Sequence, residues 1–140
     1  MPFDNYTLRR IYDRASGYCH LCQKKLAFSN YGRPGRKGAW HVEHSVLRAN
    51  GGTDHLNNLL PACIERNLEK TTVTSRTARS WYGRTRAPLS RDKRLSAKRS
   101  NALVGGIAGG LLGLVAGPLG SLIGVAIGAK LGYDKNPDKE

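Results

Sequence analysis

From Ala102 to Ala129 the chain runs 28 residues without a charged side chain, and no other stretch narrows its folding options as much. As a helix rising about 1.5 Å per residue, it would reach roughly 42 Å, more than the ~30 Å of a bilayer's hydrocarbon core. Ten of the 17 glycines lie between Gly105 and Gly132, most of them in two series four residues apart: Gly105, Gly109, Gly113 and Gly117, then Gly120, Gly124, Gly128 and Gly132. In water each glycine costs a helix about 1 kcal/mol relative to alanine, so an isolated helix here would be poor. In lipid, backbone satisfaction enforces helix, and a glycine stripe lets two helices approach closely. Gly117-Pro118-Leu119-Gly120 is the expected turn of a two-helix hairpin; a single tilted, kinked helix is the alternative.

The rest of the chain is polar and basic. At 140 residues and 15.3 kDa there is room for one compact domain and a tail, which excludes large multi-layer enzyme folds. The net charge of +13 makes a polyanion the expected partner, either nucleic acid or an anionic membrane face. The charge is uneven: residues 1–70 carry +5, residues 71–100 carry +8, and the remainder is neutral. In the middle segment arginines interleave with Trp81 and Tyr82, a pattern that neutralises phosphates and stacks on bases. Four regions follow: 1–75, a folded front domain; 76–101, a basic linker or helix; 102–132, the apolar segment; and 133–140, a polar tail.

Within the front domain, Leu8, Ile11 and Tyr12 recur at helical spacing, so a helix is expected at about 6–16 with Thr7 capping its first turn. Ala39 to His44 alternates bulky and polar residues as a strand does, within a two-stranded hairpin around 40–48. Helical spacing returns from Asn57 and predicts a helix around 61–70, and a basic helix begins near Ser90. Trp40, Leu59, Leu60 and Ile64 are the expected core. Three cysteines, Cys19, Cys22 and Cys63, are an odd count without a secretory start, which argues for a metal knuckle rather than a disulfide framework.

In order, residues 19–70 contain Cys-His-Leu-Cys (19–22), Trp-His-Val-Glu-His-Ser (40–45), Gly-Gly-Thr-Asp (51–54), Asn-Asn-Leu-Leu-Pro-Ala-Cys (57–63), and Asn67 followed by Lys70. This order and spacing resembles the HNH endonuclease family, over about residues 6–80. The resemblance implies an α+β fold with a small ββα-metal domain and an enzyme that hydrolyses DNA phosphodiester bonds. His44 matches the family's general base, an imidazole able to take a proton from water near neutral pH. Glu43 matches the acidic residue that binds a divalent ion, and Asn67 matches the last residue of the motif, bringing a second oxygen to it. Hard oxygen donors at an open site favour Mg²⁺ or Mn²⁺. Asn58 matches the central asparagine that orients the loop carrying the histidine. His41 is a further candidate for metal or substrate contact, and Lys70, Arg76, Arg79, Arg84 and Arg86 are expected on DNA phosphates.

Two departures stand out. Arg66 replaces the fourth cysteine of a paired Cys-x-x-Cys site, and arginine cannot ligate zinc. Structural Zn²⁺ on Cys19, Cys22 and Cys63 therefore needs His20, His41, His55 or water as its fourth ligand, or the knuckle is metal-free. Glu43 stands where aspartate is usual. The apolar tail resembles glycine-zipper membrane segments, which implies a hairpin, membrane association or self-association, with the basic segment on the cytoplasmic side and the nuclease at the inner face of a membrane. Two alternatives remain: a catalytically inactive nucleic-acid-binding module, and a membrane-associating protein with nuclease cargo.

Overall fold

The computed structural model describes residues 3–138 and divides into two compact units, Met1–Arg91 and Asp92–Glu140. The first is α+β. Helix α1 (Asn5–Asp13) buries Leu8 and Ile11 on one face, as their spacing requires. Its cap is Asp4, whose carboxylate accepts the Thr7 N–H at 2.7 Å; Thr7 is thus the capped residue rather than the cap, and the helix starts one residue earlier than expected. Gly17, at φ +73°, turns the chain away, and a Cβ there would lie 2.6 Å from the Tyr12 ring.

Strand β1 (Trp40–His44) pairs antiparallel with β2 (Leu59–Cys63), Trp40 facing Cys63 and His44 facing Leu59. The hairpin expected within 40–48 does not form. Its second strand comes instead from residues that helical spacing assigns to the approach to a helix. Pro61 accounts for the difference, because its ring disfavours helical backbone at Leu60. Helix α2 (Ile64–Lys70) begins only after the strand ends and packs on both strands. The result is a strand, a long loop, a strand and a helix. Trp40 is fully buried at the centre of the core, with Tyr31 and Tyr12 at ring distances of 4.9 and 5.5 Å.

Residues 76–90 belong to this unit rather than to a linker. Helix α3 (Ser75–Ser80) buries Ala78, its residue Arg79 donates to the His20 carbonyl, and the Ser16 hydroxyl donates to the Leu89 carbonyl at 2.7 Å.

The second unit is a helical hairpin of α4 (Arg91–Gly113) and α5 (Gly117–Asp134). The turn lies at 114–117 rather than 117–120: Gly117 takes the positive φ of +80°, and Pro118 sits in the first turn of α5, where no N–H is needed. The arms meet backbone to backbone. A Cβ on Gly105 would stand 2.1 Å from the Gly128 carbonyl oxygen, on Gly109 2.0 Å from that of Gly124, and on Gly113 2.2 Å from that of Gly120. Gly109→Ala is therefore expected to push the arms apart and to destabilise the hairpin by about 1–3 kcal/mol. Gly106→Ala, whose methyl would meet Ala129 at an ordinary 3.5 Å, should instead stabilise it by roughly 0.5–1 kcal/mol through helix propensity. Thermal melting of the two variants, followed by helical circular dichroism, checks the opposite signs.

Leu103, Leu111, Leu112, Leu119 and Leu122 are all exposed on the hairpin. Among the described residues, no helix is long and apolar enough to cross a membrane. The turn at 114–117 divides the uncharged run, α4 spends its first turns on Arg91, Lys93, Arg94, Lys98 and Arg99, and α5 carries Lys130 and Asp134.

Candidate active site and metal centre

His44 is the last residue of β1 and opens onto the 45–58 loop. Its Nε2 lies 2.7 Å from Asp54 Oδ1. Arg48 reaches the same carboxylate with Nη2 on Oδ2 and with Nε on Oδ1 at 3.2 Å. A further approach of Arg48 Nε to His44 Nε2, at 3.4 Å, competes with the His44–Asp54 bond, since Nε2 cannot accept from Arg48 while donating to Asp54. The much shorter contact to the carboxylate sets the tautomer, with the proton on Nε2. Arg48 and His44, both hydrogen-bonded to Asp54, hold its carboxyl at about 2, well below the usual carboxylate range.

Asn58 closes the loop on itself. Its Oδ1 accepts the Val46 N–H at 2.7 Å, and its Nδ2 donates to the Val46 and Thr53 carbonyls, each at 2.9 Å. Every strong donor and acceptor of the side chain points into the loop, so it positions backbone and does not face solvent chemistry. Gly52 allows the closure: a Cβ there would lie 1.8 Å from the Val46 carbonyl oxygen.

Glu43, expected to share an ion with Asn67, is engaged by the protein's own side chains. Neighbours on a strand point to opposite faces, and Glu43 is buried where His44 is partly exposed. Its carboxylate is 2 % exposed, with Oε2 2.8 Å from His20 Nε2 and Oε1 2.8 Å from Lys70 Nζ. These are ion-pair distances whose directions fall outside hydrogen-bond alignment. Burial alone would raise the Glu43 carboxyl; His20 and Lys70 outweigh it and hold the group below its ordinary value. A divalent ion bound to Oε1 would stand roughly 4 Å from the Lys70 ammonium, a repulsion of about 8 kcal/mol at an effective dielectric of 20. The donor set therefore does not fit Mg²⁺ or Mn²⁺. Asn67 is half-buried on α2, and its side chain makes no hydrogen bond among the described residues.

The expected phosphate contacts divide in the same way. Lys70 is 1 % exposed and committed to Glu43, and Arg79 is half-buried with its guanidinium on the His20 backbone and Nδ1, so both support the fold. Arg84 is half-buried, while Arg76 and Arg86 are exposed. A basic groove that sequence reasoning missed lies at the other end of β1: Lys24, Lys25, Arg36 and Lys37 line a cavity of about 770 Å³ beside Cys63 and Ile64. Four cations flanking a glycine-rich loop were the available signal.

The cysteines converge. A tight turn, closed by Cys19 N–H to the Lys24 carbonyl and Gln23 N–H to the Cys19 carbonyl, brings the knuckle to Cys63 at the junction of β2 and α2. The three sulfurs lie within 4.8 Å of one another, with Cys22 and Cys63 3.7 Å apart. Thiolates on a tetrahedral zinc at ~2.3 Å would be about 3.8 Å apart, so the sulfurs fit such an ion. Sulfur contacts with Cys19 and Cys63 hold the Cys22 thiol far below its ordinary range, while the Cys19 thiol is raised by its contact with Cys22 and the Cys63 thiol by its contacts with Cys19 and Cys22.

None of the three histidines completes this set. His20 faces Glu43 and Arg79, His41 packs edge-on against Tyr31, and His55 Nδ1 accepts from Asn57 N–H. Arg66, in the place of a fourth sulfur, pairs with Glu69 at 2.6 Å and covers the Tyr82 ring.

No protein-family model, curated protein or solved structure matches the chain.

Proposed function

We propose that the front unit is an endonuclease of the HNH type that hydrolyses DNA phosphodiester bonds, with His44 as general base. The observation that carries this reading is the pairing of His44, partly exposed at the end of β1, with a loop clamped by Asn58, inside a strand–loop–strand–helix frame. With Nε2 protonated against Asp54, Nδ1 is the nitrogen that takes a proton from water. Exposed Arg76 and Arg86, with the groove of Lys24, Lys25, Arg36 and Lys37, supply the phosphate contacts that hold the duplex without reading its sequence. Incubating the full chain with supercoiled plasmid should yield nicked circles, and His44→Ala should not. Equal nicking by both proteins would remove His44 from the role.

A second reading is favoured by one specific observation, the neutralisation of Glu43 inside the protein: the unit grips DNA and does not cut it. It requires salt-sensitive DNA binding with no His44-dependent nicks in any buffer.

The three cysteines hold a structural Zn²⁺ in this proposal, with a solvent molecule completing the tetrahedron. Purified protein should carry stoichiometric zinc by elemental analysis. Cys63→Ser should lose the metal and melt at lower temperature, because binding to a folded site is folding free energy.

A further inference from the structure

We propose that Arg48 and Asp54 complete the hydrolytic site around His44, and that the Arg48 guanidinium supplies the positive charge at the scissile phosphate that a divalent ion supplies in the related reading. This rests on His44 being the base. The site where an ion was expected is already filled by charge of the protein's own: Glu43 is closed between His20 and Lys70, on the opposite face of β1 from His44. Among the described residues, the only cluster of three or more histidine, cysteine or carboxylate side chains close enough to share a metal ion is the cysteine trio. On the open face, however, a base, a carboxylate and a permanent cation stand within one hydrogen-bonded group.

The geometry gives each member a role. Asp54 accepts from His44 Nε2 and fixes the tautomer, which leaves Nδ1 as the unprotonated nitrogen and the acceptor. Arg48 spends Nε and Nη2 on Asp54, while Nη1 has no partner among the described residues and its side chain is 62 % exposed, free to meet a phosphate oxygen. A planar guanidinium suits that contact. In the reaction the water oxygen forms a bond to phosphorus and His44 Nδ1 takes its proton. The bond from phosphorus to the leaving sugar oxygen breaks, and that oxygen takes a proton from solvent.

Before proton transfer, Arg48 and Asp54 cancel. Afterwards the group of three carries one net positive charge, at the moment the phosphoryl oxygens gain negative charge. The interaction thus strengthens at the transition state, which is what accelerates a chemical step.

The experiment uses the full chain, a labelled DNA duplex, and buffer passed over a chelating resin. Cleavage should proceed without added ions, and millimolar Mg²⁺ or Mn²⁺ should leave the rate unchanged. Arg48→Ala should lower kcat about a hundredfold with KM little altered, and Arg48→Lys should recover part of the loss. Free guanidinium ion should rescue Arg48→Ala and not the wild type, a response that a merely structural arginine would not give. Asp54→Asn should lower kcat with melting unchanged. Strict dependence on Mg²⁺ or Mn²⁺ overturns the inference while leaving His44 as base, as does a change confined to KM in Arg48→Ala. Absence of cleavage under every condition overturns the proposed function and this inference with it.

Discussion

Lys70→Met is expected to cost the front unit about 3–5 kcal/mol, read as a lower urea midpoint in equilibrium unfolding. Lys70 and Glu43 are both closed off from solvent, with the ammonium 2.8 Å from Oε1. A methionine fills the volume but leaves the carboxylate facing only His20, whose ring burial keeps below its ordinary pKa and therefore poorly charged. The cost is that of a stranded buried charge, not of a lost attraction. A domain with only about 5–15 kcal/mol of total stability would be brought close to unfolding. Adding Glu43→Gln to Lys70→Met should recover part of the loss, because the charge is then gone from both sides. A midpoint unmoved by Lys70→Met would show that the pair is not buried in solution.

His44→Ala should lower the rate of DNA nicking by about 10²–10⁴, the usual contribution of a positioned general base. Stability should fall far less than activity. Among the described residues His44 pairs with Asp54 and Arg48, whose side chains are exposed, and pairs of that kind contribute about 0–1 kcal/mol. Asn58→Ala gives the contrasting result. Removing the clamp frees the Val46 N–H and the Val46 and Thr53 carbonyls together, so activity and melting temperature should fall in company. Running both variants through the same nicking and melting measurements separates the residue that reacts from the residue that holds the loop. If His44→Ala lost stability and Asn58→Ala lost none, the two roles would be reversed.

What could be read from the amino acids was local. The alternation at 39–44 predicts β1, and the Cys-x-x-Cys turn with Cys63 predicts the sulfur cluster, because both signals lie in residue type and short spacing. The four-residue glycine series predicts close helix contact for the same reason. Strand β2 was hidden because Leu59, Leu60 and Ile64 satisfy a helical period as well as a buried strand, and only Pro61 argues otherwise. The fate of Glu43 was hidden for a different reason. Its partners His20 and Lys70 come from a turn and a helix far away in the chain, and each by itself reads as a ligand or a phosphate contact. Asp54 and Arg48 went unassigned because an acid and a base in a loop between strands look like ordinary surface charge until the loop is closed. The closing residue, Asn58, was recognised by its place in the motif, but what it brings together was not.

The backbone-to-backbone seam of α4 and α5 has a consequence for how the hairpin keeps its alignment. A spine of small residues repeating every four positions is self-similar: sliding one arm by a single repeat, about 6 Å, sets glycine against glycine again. The seam thus chooses a family of alignments and not one of them. The choice falls to the connection, where a three-residue turn and the left-handed Gly117 allow only one offset. Lengthening that connection by a few flexible residues would release a ladder of alternative registers, each packed almost as well as the last.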